Sequence, residues 1–450
     1  MITTTKNSKY ELVCGLEVHA ELKTASKMFC GCVNNPFGAP KPNVYTCPVC
    51  LGMPGGLPVI NKKAVEWTIQ LGLALHCQIN LFSHFDRKHY FYPDLPKGYQ
   101  ISQYDQPFCY GGYIDTSEGR VKITRIHLEE DTAKLLHEIV DEQKISLIDF
   151  NRSGVPLVEI VTEPNIKSAK QASEYGKTLR QLIRYLEIGD CNMEQGGMRL
   201  EANVSLRPVG SNHLPSYKVE IKNINSFRFL EQAIVFEVER QTTLLNDNKI
   251  PTQETRGFDA VKNITFSQRS KESAEDYRYF PDPDLPPLVF NDSQIEMWRN
   301  ELPKLPKQVV EHWQTKFDIS VSLGQQLIKT KTQSSWLDQV FELAQKAKIS
   351  PAKLANAFIN KKLPLDSAIL PQTIIDQFSK NNQTTAIEED QLTQLITDLL
   401  NKHSSELARY KAGETKLLGF FIGQIKRQVP PSTNISQINQ ELLKQLDRKT

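Results

Sequence analysis

The chain has 450 residues, enough for two to four domains at roughly 150 residues each, and long enough to bury large cores without disulfide staples. Lys plus Arg number 54 against 52 Asp plus Glu, a net charge of +2, which excludes a strongly basic coat for nucleic acid and leaves any RNA contact to local patches. Hydrophobic residues at 39% and charged residues at 24% belong to a folded globular chain rather than a disordered one.

No run of about 18 apolar residues occurs. The opening Met1-Ile2-Thr3-Thr4-Thr5-Lys6 lacks the basic-then-apolar order of a signal peptide, so a cytoplasmic protein with no membrane partner is expected. Of the 22 glycines, 18 precede residue 260. Up to about residue 290 short alternating segments are punctuated by turn signals, and beyond it long Gly-poor stretches carry apolar residues at helical spacing. The expected class is α+β, a sheet-rich N-terminal domain followed by helices.

In chain order, Leu16-Glu17-Val18-His19-Ala20-Glu21 alternates apolar and polar residues and aligns Glu17, His19 and Glu21 on one strand face. Cys30-Gly31-Cys32, fourteen residues, then Cys47-Pro48-Val49-Cys50 form two close pairs, each able to grip one edge of a tetrahedral Zn²⁺. Four thiolates leave no open position, so the zinc would be structural. All eight cysteines lie at or before Cys191, and Cys14, Cys77, Cys109 and Cys191 read as buried core thiols. Asp86-Arg87-Lys88-His89-Tyr90-Phe91-Tyr92-Pro93-Asp94 mixes cations with aromatics, a phosphate-binding candidate or a loop packed by its own rings. In His127-Leu128-Glu129-Glu130-Asp131, His127, Glu129 and Asp131 share a face if the strand persists, with Glu130 opposite. Glu159 stands between Val158 and Ile160 in an apolar strand and needs a cation, a donor or a metal.

Arg199 to Arg207 alternates with a clean period of two, and Lys218-Val219-Glu220-Ile221-Lys222 repeats the arrangement, so an antiparallel sheet with one solvated face is expected. One such segment alone reads as a solvated surface. Convergence of Glu17, Glu129, Glu159, Glu201 and Glu220 would instead require a compensating cation, and oxygen donors with an imidazole suit Mg²⁺ or Mn²⁺. Pro281 to Pro287 is a linker or a domain-closing loop. Helical spacing covers Trp336 to Ala347, and Leu392, Leu395, Ile396 and Leu399 make one helix face in a small terminal bundle set off by Asn381 to Thr385. No P-loop, dinucleotide fingerprint or nucleophile elbow is present, so a nucleotide would be held through carboxylate-bound Mg²⁺ with Lys and Arg neutralising the rest.

Together, Gly15-Leu16-Glu17-Val18-His19, the cysteine pairs, Gly52-Met53-Pro54-Gly55, Leu57 to Asn61, Phe85 to Asp94, Pro96 to Gln103, His127 to Asp131, Asn151 to Leu157 and Asp276 to Pro281 resemble the GatB family, the B subunits of tRNA-dependent amidotransferases. The resemblance runs through nearly the whole chain. It implies a cradle domain at 1–294 carrying a zinc insertion at 30–50, an all-α helical domain at 295–385, and a YqeY-like tail at 386–450, which Tyr410 to Gly413 and Lys416 to Gln424 resemble.

It further implies a ligase that phosphorylates the side-chain carboxylate of misacylated Glu-tRNA(Gln) or Asp-tRNA(Asn) with ATP, then lets ammonia displace phosphate. The implied partners are a GatA-type amidase subunit, which supplies the ammonia, a GatC-type small subunit, and the tRNA. The implied catalytic residues are Glu17, His19, Glu129, Glu159 and Glu220; Arg87, Lys88 and Glu130 would bind the cofactor. Mg²⁺ would be held by Glu17, His19, Glu129, Glu201 and Glu220, and Zn²⁺ by Cys30, Cys32, Cys47 and Cys50. Lys402, Lys411, Lys416, Lys426 and Arg427 are candidates for tRNA phosphates. Gln195, Gln268 and Cys14 depart from the family pattern without removing a ligand. Two other readings stay open, a zinc-ribbon RNA-binding scaffold and a standalone metal-dependent hydrolase.

Overall fold

The computed structural model describes residues 9–270, 277–381, 389–429, 433 and 435–448; Asp276 and the expected boundary at 385/386 lie outside the described residues. The chain divides into two compact units, residues 1–309 with 329–331, and residues 310–328 with 332–450.

Strand Tyr10–Glu21 is the long inner strand of a ten-stranded sheet. Strands Met198–Pro208, Val219–Ile224, Glu254–Asp259 and Ile264–Ser270 follow it on one side, and Pro156–Thr162 and Gly119–Glu130 lie on the other, with short strands at the far edge. Alternation does what the pattern requires: Leu16, Val18 and Ala20 are buried on one face, and Glu17, His19 and Glu21 project from the other. Helices Lys62–Ala74, Ala169–Tyr185 and Phe227–Asn246 cover the apolar face, where Ile69, Tyr175, Leu179, Leu230 and Ala233 join the strand residues in one core. Each helix starts on a side-chain cap: Asn61 accepts from the Lys63 and Ala64 amides, Ser168 from Gln171 and Ser226 from Phe229.

The sheet departs from the all-antiparallel expectation at one pair, because strands 219–224 and 254–259 run parallel. Helix 227–246 lies between them in sequence, and a crossover of that length is what a parallel neighbour requires. Elsewhere the register stacks the polar residues. Glu17 lies opposite Glu201 and Val161, His19 opposite Glu159 and Arg199, Glu159 opposite His127, and Asn203 opposite Glu220.

A second sheet, of strands Asp86–His89, Tyr99–Ser102 and Phe280–Pro281, packs beside this polar face, with Ser102 Oγ donating to Glu129 Oε2 at 3.1 Å. The Pro-rich segment is therefore the domain-closing loop of the two alternatives: Phe280 pairs with Arg87, and Val289 with Phe82.

In the second unit, Trp313 is fully buried edge-on to Phe341 and donates its indole N–H to Asp338 at 2.6 Å. Trp336 lies in helix Lys331–Lys346. Helix Glu389–Lys402 buries Leu392, Ile396 and Leu399 against Phe421, Ile425, Ile438 and Leu442, the face that the 3-1-3 spacing describes. Among the described residues, no helix is long and apolar enough to cross a membrane.

Gly72 shows how closely helix 62–74 seats on the sheet, since a Cβ there would overlap Cys109 Sγ. Gly72→Ala should cost about 1–3 kcal/mol by overpacking. Adding Cys109→Ala should recover part of that loss in chemical denaturation, where independent sites would simply add their costs.

Candidate functional site

Two groups of potential metal ligands sit side by side on the polar face of the large sheet, because five neighbouring strands each place a polar residue there. The first joins His19, Glu129 and Glu159, and the second joins Glu17, Glu201 and Glu220; within each group the donor atoms lie within 4.8 Å of one another. His19 Nε2 is 3.3 Å from Glu159 Oε2 and 3.7 Å from Glu129 Oε1. In the second group Lys222 Nζ lies 3.1 Å from Glu201 and 3.5 Å from Glu220, and Asn203 donates to Glu17 at 2.8 Å. Strand separations of about 4.8 Å bring side chains on adjacent strands to within reach of one ion.

The electrostatics follow from crowding carboxylates in a half-buried site. Burial, then repulsion from Glu159 and Glu201, raises the Glu17 carboxyl above its usual value. Burial acts in the same sense on Glu159, but His127 and His19 prevail and hold it well below the usual carboxylate range. For His19, burial would depress the imidazole; Glu159 and then Glu129 outweigh it and raise its pKa to about 9. Burial likewise opposes the Lys88 ammonium, yet Glu129 and Glu159 hold it above the ordinary lysine value. One carboxylate group is thus balanced by imidazoles and Lys88, and the other by Lys222.

The donor sets fit the cations expected from the sequence. Glu17, Glu201 and Glu220 offer only hard oxygens, and the other group adds one imidazole, a combination suited to Mg²⁺ or Mn²⁺. Asn203 Oδ1 and the Nδ1 atoms of His19 and His127 are buried with no hydrogen-bond partner among the described residues.

Two of the expected residues do not join this face. Glu130 follows Glu129 on the same strand and so points to the opposite side, where Lys97 Nζ and the Ile101 amide, at 3.0 Å, hold its carboxylate. Arg87 donates to Asp282 at 2.9 Å and Asp284 at 3.0 Å and lies 4.4 Å from the Tyr99 ring, so its charge is used in closing the loop. Alternation gives Lys88 the other direction, with its ammonium 5.0 Å from the Tyr277 ring. Asp131 lies past the end of the strand and pairs with Arg199 at 3.0 Å.

Sequence reasoning gave no role to His127, Lys222 and Asn203. His127 Nε2 is 3.1 Å from Glu159 Oε2, so Glu159 bridges two imidazoles. Strand parity put His127 on the face with Glu129; its contact with Glu159 required the register.

The four cysteines meet as their spacing predicts. Their sulfurs lie within 4.8 Å of one another, and Cys47 and Cys50 Sγ are 3.8 Å apart, the edge of a tetrahedron with Zn–S bonds of about 2.3 Å. A hydrogen bond from Cys30, and then, against burial, Lys27, draws the Cys50 thiol down to about 5. Lys27 is fully buried; its ammonium donates to the carbonyls of Tyr45 at 2.7 Å and Phe150 at 3.2 Å, with Cys50 Sγ at 3.7 Å. A buried cation beside a thiolate cluster offsets its charge, and nothing in the sequence around Lys27 marks it. Cys14, Cys77 and Cys191 are buried thiols pushed up to about 12 by desolvation, and Cys109 is raised in the same way.

A family model described as the GatB/GatE catalytic domain matches residues 12–296, and one described as the GatB domain matches residues 300–446. The B subunit of the aspartyl/glutamyl-tRNA(Asn/Gln) amidotransferase of Thermodesulfovibrio yellowstonii is 42% identical over 97% of this chain and 99% of that protein. The proteins of the same name from Geobacter sp. strain M21 and Nitratidesulfovibrio vulgaris strain DP4 are 41% and 40% identical, covering 97% and 98% of this chain and 99% and 100% of their own lengths. The chain belongs to the GatB family.

Cys50→Ser should abolish stoichiometric zinc in elemental analysis and lower the thermal midpoint by about 5–10 °C, the shift expected for loss of a few kcal/mol. Cys77→Ser, which alters a core thiol, should leave the zinc content unchanged.

Proposed function

We propose that this chain is the B subunit of an aspartyl/glutamyl-tRNA(Asn/Gln) amidotransferase. It activates the side-chain carboxylate of misacylated Glu-tRNA(Gln), Asp-tRNA(Asn) or both with ATP, and amidates it. The observation that carries this reading is the pair of adjacent ligand groups, His19 with Glu129 and Glu159, and Glu17 with Glu201 and Glu220. Two neighbouring cation sites on one rigid face suit a reaction in which a triphosphate and a carboxylate, both anionic, must approach.

A carboxylate is a poor electrophile. Its attack on the γ-phosphorus breaks the bond to the β-phosphate oxygen, releasing ADP and leaving an acyl phosphate; ammonia then attacks the carbonyl carbon and expels inorganic phosphate, losing a proton. Mg²⁺, when bound by the two groups, supplies neutralisation of the phosphate oxygens. The residues of this chain do the rest. The sheet fixes the ligands at set spacings, Lys88 adds positive charge beside Glu129 and Glu159, and Lys222 balances Glu201 and Glu220. Glu159, held ionised between His19 and His127, keeps its oxygens as acceptors.

Ammonia is generated by a GatA-type partner, with a GatC-type subunit completing the assembly. The zinc loop is structural. The tRNA is held in part by the C-terminal bundle, where Lys402, Lys411, Lys416, Lys426 and Arg427 are all exposed.

In the assembled enzyme, Glu17→Gln and His19→Ala should each lower ATP-dependent amidation by at least about 100-fold while leaving tRNA affinity within a few-fold of wild type. Unchanged amidation would favour the RNA-binding scaffold, and turnover by the isolated chain would favour the hydrolase. Replacing Lys416 and Lys426 with Ala should weaken tRNA binding and flatten its salt dependence without altering ATP affinity.

A further inference from the structure

Most cations on the polar face are already paired. His19 and His127 hold Glu159, Lys222 holds Glu201 and Glu220, and Arg199 holds Asp131. Arg87, one of two cations expected to meet phosphate, is engaged with Asp282 and Asp284. Arg125 is the exception. Its Nε is buried, and among the described residues the side chain has no hydrogen-bond partner and no ion pair. A guanidinium donor shut off from water without an acceptor is costly, and it marks a place where an acceptor is to arrive.

Register fixes where Arg125 stands. It precedes His127 and Glu129 at alternate positions of strand 119–130 and so shares their face. Across the sheet, Arg125 lies opposite Val161, Val161 opposite Glu17, and Glu17 opposite Glu201. Arg125 and the second ligand group therefore belong to one cross-strand row, with a single valine between them. Two strand separations, about 10 Å in all, part the Arg125 and Glu17 backbones. Space adjoins that valine: Val161, Glu17 and Asn203 line part of a cavity of ≈ 250 Å³. The ladder shifts register immediately past the pair, between Val161 and Thr162, an irregularity of the kind that re-aims a side chain. The Tyr279 hydroxyl feels both signs of charge: burial, then Glu129 and Glu159, push it up, and Arg125 acts against them.

We infer that Arg125 binds the transferring phosphoryl group of ATP, across Val161 from Glu17, Glu201 and Glu220. The inference rests on the reading that this face phosphorylates a carboxylate. Two oxyanions meet there, and phosphate is the one a guanidinium helps. In the transition state negative charge gathers on the departing β-phosphate oxygen and is spread over the γ-phosphoryl oxygens, so a fixed fork of donors beside them is worth more than in the ground state. The substrate carboxylate loses charge as it attacks. A guanidinium clamped on it would hold the reaction back.

The test uses the assembled enzyme, the misacylated tRNA that wild type amidates, and ammonium chloride as nitrogen source, so that glutamine hydrolysis plays no part. Arg125→Gln should lower kcat/KM for ATP by about 100- to 1000-fold while KM for the tRNA stays within about threefold of wild type. Arg125→Lys, which keeps the charge and loses the fork, should fall between the two. Added guanidinium ion should restore part of the Arg125→Gln rate, a response that a merely structural role would not give. In wild type, which requires no variant to fold, saturating ATP should protect Arg125 from phenylglyoxal, read by peptide mass spectrometry, and deacylated tRNA should not. Arg125→Gln activity within about threefold of wild type overturns the inference. So does a loss confined to KM for the tRNA, which would assign the cation to that substrate, and so does modification of Arg125 at a rate indifferent to ATP. A wild-type assembly that amidates neither misacylated tRNA refutes the parent reading itself, and this role falls with it.

Discussion

The site depends on one electrostatic constraint: five carboxylates, Glu17, Glu129, Glu159, Glu201 and Glu220, share one face of a sheet whose other face is a continuous apolar core. A sheet does not let them drift apart. Register holds Glu17 against Glu201, and His19 between Glu159 and Arg199, so repulsion is relieved only by protons, imidazoles, lysines or bound cations. The protein uses His19, His127, Lys88 and Lys222, and each of them shifts or is shifted by a carboxylate beside it. A face so arranged is a poor stabiliser of the fold and a ready binder of hard cations. Strain of this kind persists because the helices behind the sheet supply the stability that the polar face does not.

What sequence could reveal followed from periodicity. The alternation in Leu16 to Glu21 and in Arg199 to Arg207 identified strands and told which side chains share a side, and the two close cysteine pairs announced their meeting. The helical face of Leu392, Ile396 and Leu399 was equally legible. Neighbourhood across strands was not. Nothing local says that His127 stands opposite Glu159, because that relation is set by which strands pair and in what register.

The residues that fell outside the site show the limits of the same reasoning. Glu130 was assigned by resemblance although parity already turned it away from Glu129, and Lys97 holds it on the far side. Arg87 and Lys88 were interchangeable as charges in sequence; only the closing loop, with Asp282 almost 200 positions away, shows that Arg87 is engaged and Lys88 faces the acidic groups. The parallel pair of strands was likewise invisible until the helix between them was seen to cross over.

Glu130, turned away from the acidic face, lies beside the cysteine loop. On the far side of the sheet, Gly154 adopts φ +82°, and a Cβ there would stand 3.4 Å from Cys50, 3.6 Å from Lys27 and 4.0 Å from Glu130. Ser153 Oγ donates to the Cys50 carbonyl at 2.8 Å, the Met28 amide donates to the Gly154 carbonyl at 2.7 Å, and the Gly154 amide donates to the Asp131 carbonyl at 2.9 Å. The cysteine loop therefore buttresses the end of strand 119–130 from behind, at the residues that immediately follow Glu129. A strand end transmits displacement directly, since Glu129 and Glu130 are joined by one rigid peptide. Ligation of the four sulfurs, with Lys27 offsetting their charge, would thus bear on where the Glu129 carboxylate sits. A closed, four-sulfur group placed in this way would act on the acidic face through the backbone alone.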